Sequence, residues 1–284
     1  MSRVVEVQKA SELRRDLCGK PREVVVTAAS DLDAILQGGL RVGSLTEICG
    51  ASGSGRTQIT LQLAANVQLP RVLGGLDASC LYIDTRGALY ANRYVEVIAG
   101  LRARLSGLAT SQGSVTPQMR EMLTTQANKS IDAFLEGTYH YAAPSVAHVV
   151  SLVASLPTLL DGCGNVRLVI LNSLDPDAFP KDTRTAVLTS ITRALRELAT
   201  SRNIAILVVT TMRQYGGSFL APCDQWSSAL QQRVLLRGFG GDPRGATTQE
   251  GTAIFRILQE GIVNDRTKKI NRSRGREIKY SFFF

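Results

Sequence analysis

The feature that most constrains the fold is a glycine-rich loop of eight residues between an apolar run and a helical pattern. The apolar run covers residues 45–49, and the loop reads Gly50-Ala51-Ser52-Gly53-Ser54-Gly55-Arg56-Thr57. Its glycines allow a tight turn that brings backbone N–H groups to phosphate oxygens, and the dipole of the following helix favours an anion there. The order strand, loop, helix therefore predicts a phosphate-binding loop in an α/β domain, with Gln58 as the last nucleotide-binding residue.

One position of the loop departs from the usual phosphate-loop pattern, GxxxxGK[ST]. Arg56 stands at the lysine position. A guanidinium keeps the positive charge but is planar and larger than an ammonium, so we expect nucleotide binding to be weakened or merely retained and hydrolysis to suffer more. Thr57 is expected to offer its hydroxyl to Mg²⁺. The other interpretation is a glycine-rich turn that binds nothing.

Short apolar runs alternate with helical patterns along most of the chain. The predicted strands cover residues 45–49, 80–84, 167–172, 204–210, 233–236 and 253–258, and the predicted helices cover 57–67, 92–105, 146–160 and 183–200. The runs 168–171 and 204–209 are continuously apolar, which is typical of strands buried on both faces of a parallel sheet. This order predicts an α/β fold with a mostly parallel, twisted central sheet flanked by helices. The last two strands lie close together in sequence and predict a hairpin or meander.

Composition sets two segments of the chain apart from the rest. Residues 106–137 begin rich in Ser, Thr, Gln and Gly, which predicts a surface insertion with one helix. Residues 266–284 carry seven Lys or Arg against Glu277 alone, which predicts a disordered basic tail.

Charge and cysteine content narrow the class of partner and the compartment. The net charge is +9 over 284 residues, so an acidic partner is expected, and nucleic acid is the first to consider. The five cysteines are far apart and form no CxxC pair, which argues against a zinc site or a disulfide scaffold and favours a reducing compartment. The sequence contains no apolar run long enough to cross a membrane and no secretory signal pattern, so no membrane partner is predicted.

Several segments together carry a resemblance to a known family. Residues 32–40, LDAILQGGL, and 43–50, GSLTEICG, resemble the LDxLLGGGI and GxITEIxG segments of the eukaryotic and archaeal branch of the RecA recombinase family. Residues 82–87, YIDTRG, resemble its YIDTEG, and residues 166–173, VRLVILNS, resemble its Walker B strand, VRLVIVDS. The similarity extends from about residue 24 to 265 and is far more specific than an isolated phosphate loop. It implies a core domain over residues 24–265, after a linker or helix at 1–23.

The resemblance implies a fold, a ligand and a set of partners. Members of that family have a RecA-type core, bind ATP with Mg²⁺ between neighbouring subunits, and act on single-stranded DNA during strand exchange. Gln225-Trp226 and Arg233 resemble a segment of the mediator-type paralogues, which assist the main recombinase. The implied partners are therefore other recombinase paralogues, the main strand-exchange recombinase and single-stranded DNA, in a hetero-oligomer in the nucleus.

Three further positions depart from the family's catalytic pattern. Arg86 stands where family ATPases have the glutamate that activates water, and an arginine cannot accept a proton near neutral pH. Asn172 replaces the Walker B aspartate, so the expected metal positions, Thr57 and Asn172, include no carboxylate. Thr211 replaces a glutamine that senses the γ-phosphate in the family. No residue is assigned as catalytic with these changes, and turnover is expected at or near background.

Two segments are expected to contact DNA by the same resemblance. The first corresponds to residues 213–225 and includes Arg213 and Tyr215, and the second corresponds to residues 238–251, with Arg237 and Arg244 as phosphate contacts. Aromatic and basic side chains on a loop suit single-stranded DNA. The alternative is a pair of ordinary polar surface loops. For the basic tail, phosphate contact, a nuclear-import signal and a solvated segment remain open.

Three functional hypotheses follow from these observations. The first is a recombinase paralogue with weak or absent ATP hydrolysis that helps load or stabilise the recombinase on single-stranded DNA. The second is an active DNA-dependent ATPase or strand-exchange recombinase of the same fold, with the base supplied by a neighbouring subunit. The third is a RecA-fold scaffold without direct DNA contact. ATP turnover separates the first two, and salt-dependent DNA binding separates both from the third.

Overall fold

A computed structural model describes residues 23–50, 52–87, 91–111, 115–215, 218–220, 230, 232–236, 252–257 and 276–281. Its strands are β1 (Val24–Val25), β2 (Leu40–Arg41), β3 (Leu45–Gly50), β4 (Ser79–Asp84), β5 (Thr138–Ala142), β6 (Val166–Leu174), β7 (Ala205–Thr211), β8 (Arg213–Tyr215), β9 (Ser218–Leu220), β10 (Gln232–Leu236), β11 (Thr252–Ile257) and β12 (Arg276–Ser281). Its α-helices are α1 (Ser30–Ile35), α2 (Arg56–Asn66), α3 (Ala91–Thr110), α4 (Pro117–Asn128), α5 (Ile131–Glu136), α6 (Val146–Gly162) and α7 (Arg184–Arg202).

A six-stranded sheet forms the centre of the fold. Its strand order is β10-β3-β7-β6-β4-β5, and every neighbouring pair in it is parallel. Parallel neighbours need crossover connections, and helices supply them between β3 and β4 and between β6 and β7. Because all six strands run the same way, their carboxyl ends meet at one edge of the sheet. The predicted α/β class, with a mostly parallel sheet flanked by helices, is confirmed.

The inner strands are apolar along their length because both faces of the sheet are covered. On β6, Leu168 and Ile170 join one hydrophobic cluster with α2, α3, α4 and α5, whereas Val169 and Leu171 join a second cluster with α6 and α7. Alternate side chains of a strand point to opposite faces. Full burial of each such side chain stabilises the fold by roughly 1.5–3 kcal/mol.

Side-chain caps set where the outer helices begin. The Ser145 hydroxyl accepts a hydrogen bond from the backbone N–H of His148 and starts α6, and Thr116 caps α4 in the same way ahead of Pro117. Helix α7 ends at Asn203, whose φ of 52° lies in the left-handed region that closes many helices. None of the helices in the described ranges has the length and apolar character that a membrane span requires.

The segment 106–137 differs from the surface insertion that its composition predicts. It contains the end of α3 and two complete helices, α4 and α5. Three side chains of this segment are buried in the hydrophobic cluster that contains Leu168 and Ile170, namely Leu123, Ala127 and Phe134. Phe134 has no exposed surface. The polar character of 106–137 reflects the solvated faces of these helices, whereas their apolar faces complete one side of the core.

Two expectations about the last strands also differ from the structure. Within the described residues, β10 and β11 are not a hydrogen-bonded pair. Strand β10 pairs in parallel with β3, with Leu236 opposite Gly50, while β11 pairs with β12 in an antiparallel ribbon. Strand β12 lies within residues 266–284, for which the composition predicts a disordered tail, so residues 276–281 depart from that prediction. Strand β5, at the far edge of the sheet, is absent from the sequence-based assignment.

Candidate nucleotide site at the carboxyl edge of the sheet

The phosphate loop lies where β3 ends and α2 begins. Gly53 and Gly55 have φ values of 77° and 82°, a left-handed conformation that glycine adopts without strain. Gly55 precedes the first turn of α2, and its carbonyl accepts the N–H of Ile59. At Gly50 a Cβ would lie 2.4 Å from the Ser54 Oγ and 3.1 Å from the Leu236 carbonyl oxygen, so a side chain there would crowd both the loop and β10. The predicted strand, loop and helix are all present.

The Arg56 guanidinium reaches the end of the neighbouring strand β7. Its Nη1 donates to the Thr210 carbonyl oxygen and to the Thr211 Oγ1, both at 2.7 Å. Burial lowers the pKa of Arg56, and the nearby charge of Arg86 acts in the same direction. The two substituted residues therefore interact directly: the guanidinium of Arg56 donates a hydrogen bond to the hydroxyl of Thr211. Sequence reasoning treated these two substitutions separately and missed their contact.

A buried amide without a partner lies on β6 beside β4. Asn172 is 1% exposed, and neither its Oδ1 nor its Nδ2 has a hydrogen-bond partner among the described residues. It stands opposite Asp84, which is fully buried and whose Oδ1 accepts the backbone N–H of Arg86 at 3.0 Å. A buried amide without hydrogen-bond partners costs stability. Such an amide is typical of a site where a ligand or a water molecule supplies the missing hydrogen bonds.

The backbone after Asn172 is strained. Ser173 has a φ of 67°, unusual for a residue with a side chain, and the pairing of β6 with β7 shifts register between Leu171 and Leu174. The Thr85 hydroxyl holds this bend by donating to the Ser173 carbonyl oxygen at 2.7 Å. Strain of this kind costs roughly 1–3 kcal/mol and concentrates at functional sites. Like the phosphate loop, the bend lies at the carboxyl ends of the strands.

Comparison with known proteins agrees with this geometry. The Rad51 family model matches residues 21–108. The chain is 29% identical to DNA repair protein RAD51 homolog 3 of Dictyostelium discoideum over 223 aligned residues. The aligned region covers 75% of this chain and 56% of that protein. The chain is 26% identical over 252 residues to the protein of that name from Cricetulus griseus, covering 84% and 68%. The chain is therefore similar to proteins of the RecA-like recombinase superfamily, most extensively around the phosphate loop.

The chain is also similar to archaeal members of the superfamily. It is 36% identical over 152 residues to DNA repair and recombination protein RadA of Methanocorpusculum labreanum, which covers 52% of this chain and 41% of that protein. The chain thus spans little more than half the length of the Dictyostelium relative and less than half of this one. The resemblance expected from the segments around the phosphate loop is confirmed.

The divalent cation that superfamily members generally use fits these residues poorly. The side chains predicted to face it are the exposed hydroxyl of Thr57 and the uncharged amide of Asn172. Mg²⁺ prefers carboxylate oxygens, and within the described ranges no three His, Cys, Asp or Glu side chains are grouped to hold a metal. The exposed guanidinium of Arg86, at the carboxyl end of β4, adds a positive charge instead.

A buried ion pair lies beneath the phosphate loop. Glu47 on β3 has no exposed surface and accepts from the Arg233 Nε at 2.5 Å and from the Thr210 hydroxyl at 2.6 Å. Arg233, on β10, has a side chain only 5% exposed. This cluster joins three neighbouring strands and fixes Thr210, whose carbonyl oxygen receives Arg56. Sequence reasoning noted Arg233 only through resemblance, and it gave no role to Glu47.

The other residues predicted to bind nucleotide or DNA lie in different parts of the structure or outside its described ranges. The Gln58 Oε1 accepts a hydrogen bond from the Arg93 Nη2 at 3.0 Å, so it faces α3. Arg213 and Tyr215 lie on the short strand β8, which follows β7 directly and pairs with β9. Ala51, Arg237 and Arg244 lie outside the described residues. Their assignments, like those of the other nucleotide and DNA residues, stay predictions.

Proposed function

We propose that this chain is a recombinase paralogue that assists homologous-recombination DNA repair and binds ATP with weak or absent hydrolysis. The observation that carries the proposal is the contact of Arg56 with Thr210 and Thr211 in an otherwise complete phosphate loop. The names of the relatives, DNA repair protein RAD51 homolog 3, support the repair role. The chain would act as one subunit of a complex that promotes loading or stability of the main recombinase on single-stranded DNA.

The chemistry of the site favours binding over hydrolysis. Hydrolysis needs a group that orients water or takes its proton, and the guanidinium of Arg86 can only donate hydrogen bonds. Asn172 offers an amide in place of a charged metal ligand. The backbone N–H groups of the loop and the start of α2 remain, and these are the groups that hold phosphates. The arrangement therefore keeps a phosphate cradle while lacking the groups that activate the attacking water.

The proposed partners are other recombinase paralogues, the main strand-exchange recombinase and single-stranded DNA, in a nuclear hetero-oligomer. The DNA contacts proposed are Arg213 and Tyr215, with Arg237, Arg244 and the basic residues of 266–284. The net charge of +9 supports an anionic polymer as partner.

The experiment for the assisting role measures how long the main recombinase stays on single-stranded DNA. Fluorescent recombinase would be assembled on an oligonucleotide and challenged with competitor DNA, with and without this chain. We expect a longer lifetime with the chain and a smaller effect with Thr57→Ala. The control is Arg202→Ala, a surface residue paired with Asp161 far along the chain from the loop. An unchanged recombinase lifetime would reject the assisting role.

DNA binding by the basic segment is tested separately through its salt dependence. Removing residues 266–284 is expected to weaken binding to single-stranded DNA and to flatten the plot of log affinity against log salt, by about 0.7 for each phosphate that the segment neutralises. Because β12 lies in this segment, a second variant should keep it and replace Lys268, Lys269 and Arg272 with Ala. If neither variant changes the slope, the segment does not bind DNA.

A further inference from the structure

The charges at the carboxyl edge of the sheet are unusual for a triphosphate site. Two arginines lie there, Arg56 within the phosphate loop and Arg86 after β4. The carboxylate closest to Arg86 along the chain is that of Asp84. It is fully buried, and its Oδ1 accepts a hydrogen bond from the backbone N–H of Arg86. The terminal phosphate of a nucleotide carries a charge of about −1.5 to −2 near neutral pH. Arg56 only keeps the charge of the lysine it replaces. Arg86 in place of a glutamate and Asn172 in place of an aspartate make the site more positive than the family pattern, by two charges and one charge respectively.

The Arg86 side chain is well suited to receive an anion. It is exposed, and among the described residues its guanidinium has no ion-pair partner. Arg56 and Arg86 follow β3 and β4, whose carboxyl ends lie at the same edge of the sheet. Like charges at one edge repel each other, and a phosphate bound there would relieve the repulsion.

Asn172 completes the arrangement from the buried side. Both polar atoms of its amide lack a partner within the described part of the chain, although the residue is 1% exposed. An aspartate at this position would repel a phosphate unless a cation stood between them. The amide carries no charge, and its Nδ2 can donate to a phosphate oxygen or to a bound water. Nothing at position 172 therefore demands a metal ion.

We infer that this phosphate loop binds a nucleoside triphosphate without needing a divalent cation, with the Arg86 guanidinium providing charge that Mg²⁺ would otherwise provide. The inference rests on the proposed function, because it takes ATP binding by the loop as given. It adds that magnesium contributes little to the affinity. It also assigns Arg86 a role in ligand binding, at a position where a superfamily ATPase would have its base.

Isothermal titration of the full chain with ATP, once in EDTA and once in Mg²⁺, tests this. We expect dissociation constants that agree within about threefold between the two buffers. Arg86→Ala is expected to weaken binding by about tenfold in both buffers. The double variant Arg86→Glu with Asn172→Asp should acquire magnesium dependence, binding at least about tenfold more weakly in EDTA than in Mg²⁺. Arg202→Ala serves as the matched arginine control and should bind as the unaltered chain does.

The outcomes separate this inference from the proposed function. Binding by the unaltered chain that disappears in EDTA would overturn the inference and leave the proposed ATP binding intact. Unchanged affinity in Arg86→Ala would overturn it as well. Absence of binding in both buffers would reject the inference and the ATP-binding part of the proposed function together. Thermal unfolding of each variant shows whether it is folded. Arg86 is exposed, so Arg86→Ala should leave the melting temperature unchanged.

Discussion

Replacing Glu47 alone is expected to destabilise the fold more than most single substitutions would. Glu47 is fully buried on β3, and its carboxylate receives Arg233 at 2.5 Å and Thr210 at 2.6 Å. Glu47→Ala removes these two hydrogen bonds and takes the carboxylate away from the Arg233 guanidinium, in a position where only 5% of the arginine side chain meets water. Burying a charge without its counter-charge costs stability.

The magnitude follows from the burial of the partner. Removing one member of a buried ion pair typically costs 3–5 kcal/mol, so Glu47→Ala should lower the free energy of unfolding by about 4 kcal/mol. For a domain of this size the melting temperature should fall on the order of 10 °C. The Asp161–Arg202 pair offers a matched ion pair at 2.6 Å with side chains 59% and 43% exposed. Asp161→Ala should leave the stability almost unchanged, because water screens that exposed pair.

The assay is urea unfolding followed by far-UV circular dichroism, with midpoint and slope fitted together. A third variant, Glu47→Leu with Arg233→Met, removes both charges and should recover much of the stability that Glu47→Ala forfeits. A Glu47→Ala midpoint within error of the Asp161→Ala midpoint would refute the reasoning. A double variant no more stable than Glu47→Ala would show that the cost comes from impaired packing instead of an unpaired charge.

Three other predictions follow from packing and exposure. Phe134→Ala should lower the free energy of unfolding by about 3–5 kcal/mol, because the ring is fully buried, whereas a surface insertion would tolerate the change. Gly39→Ala should destabilise the fold by more than about 1 kcal/mol, since φ is 137° and the new Cβ would lie 2.4 Å from a carbonyl oxygen. Gly107→Ala, whose Cβ would meet nothing, should stabilise α3 by roughly 0.5–1 kcal/mol in the same urea assay. Iodoacetamide at pH 8 should label Cys163 well before Cys49, as mapped by mass spectrometry. Burial raises the pKa of Cys49 to about 11 and shields its thiol from the reagent, so equal labelling of the two cysteines would contradict this prediction.

The sheet was predictable from the sequence because its inner strands are buried on both faces. Residues 168–171 and 204–209 are continuously apolar, and the structure places them in β6 and β7 at the centre. Strand β5 was not predictable in this way, because it lies at the sheet edge and three of its five residues are exposed. Its sequence, Thr-Tyr-His-Tyr-Ala, shows neither an apolar run nor a clean alternation. Edge strands carry less burial signal than central ones.

The partners of the loop residues were less predictable than the loop itself. The glycines and the strand–helix context are local features, whereas Arg56 meets Thr211 across 155 positions of sequence. Glu47 and Arg233 are 186 positions apart. Sequence reasoning identified the substitutions at 56 and 211 one at a time, because only strand order brings β3, β7 and β10 side by side. The parallel pairing of β10 with β3, which the sequence did not predict, brings Glu47 and Arg233 together.

The most direct test of the account is ATP turnover by the purified chain, measured with Mg²⁺ in the presence and absence of single-stranded DNA. The same sample should be titrated with ATP, so that binding and hydrolysis are compared on one preparation, with Thr57→Ala as the control for the loop. We expect ATP to bind while turnover stays at the level of Thr57→Ala, because the site keeps its phosphate cradle and lacks a group that can activate water. Turnover that rises with DNA and disappears in Thr57→Ala would contradict the account and identify the chain as an active DNA-dependent ATPase.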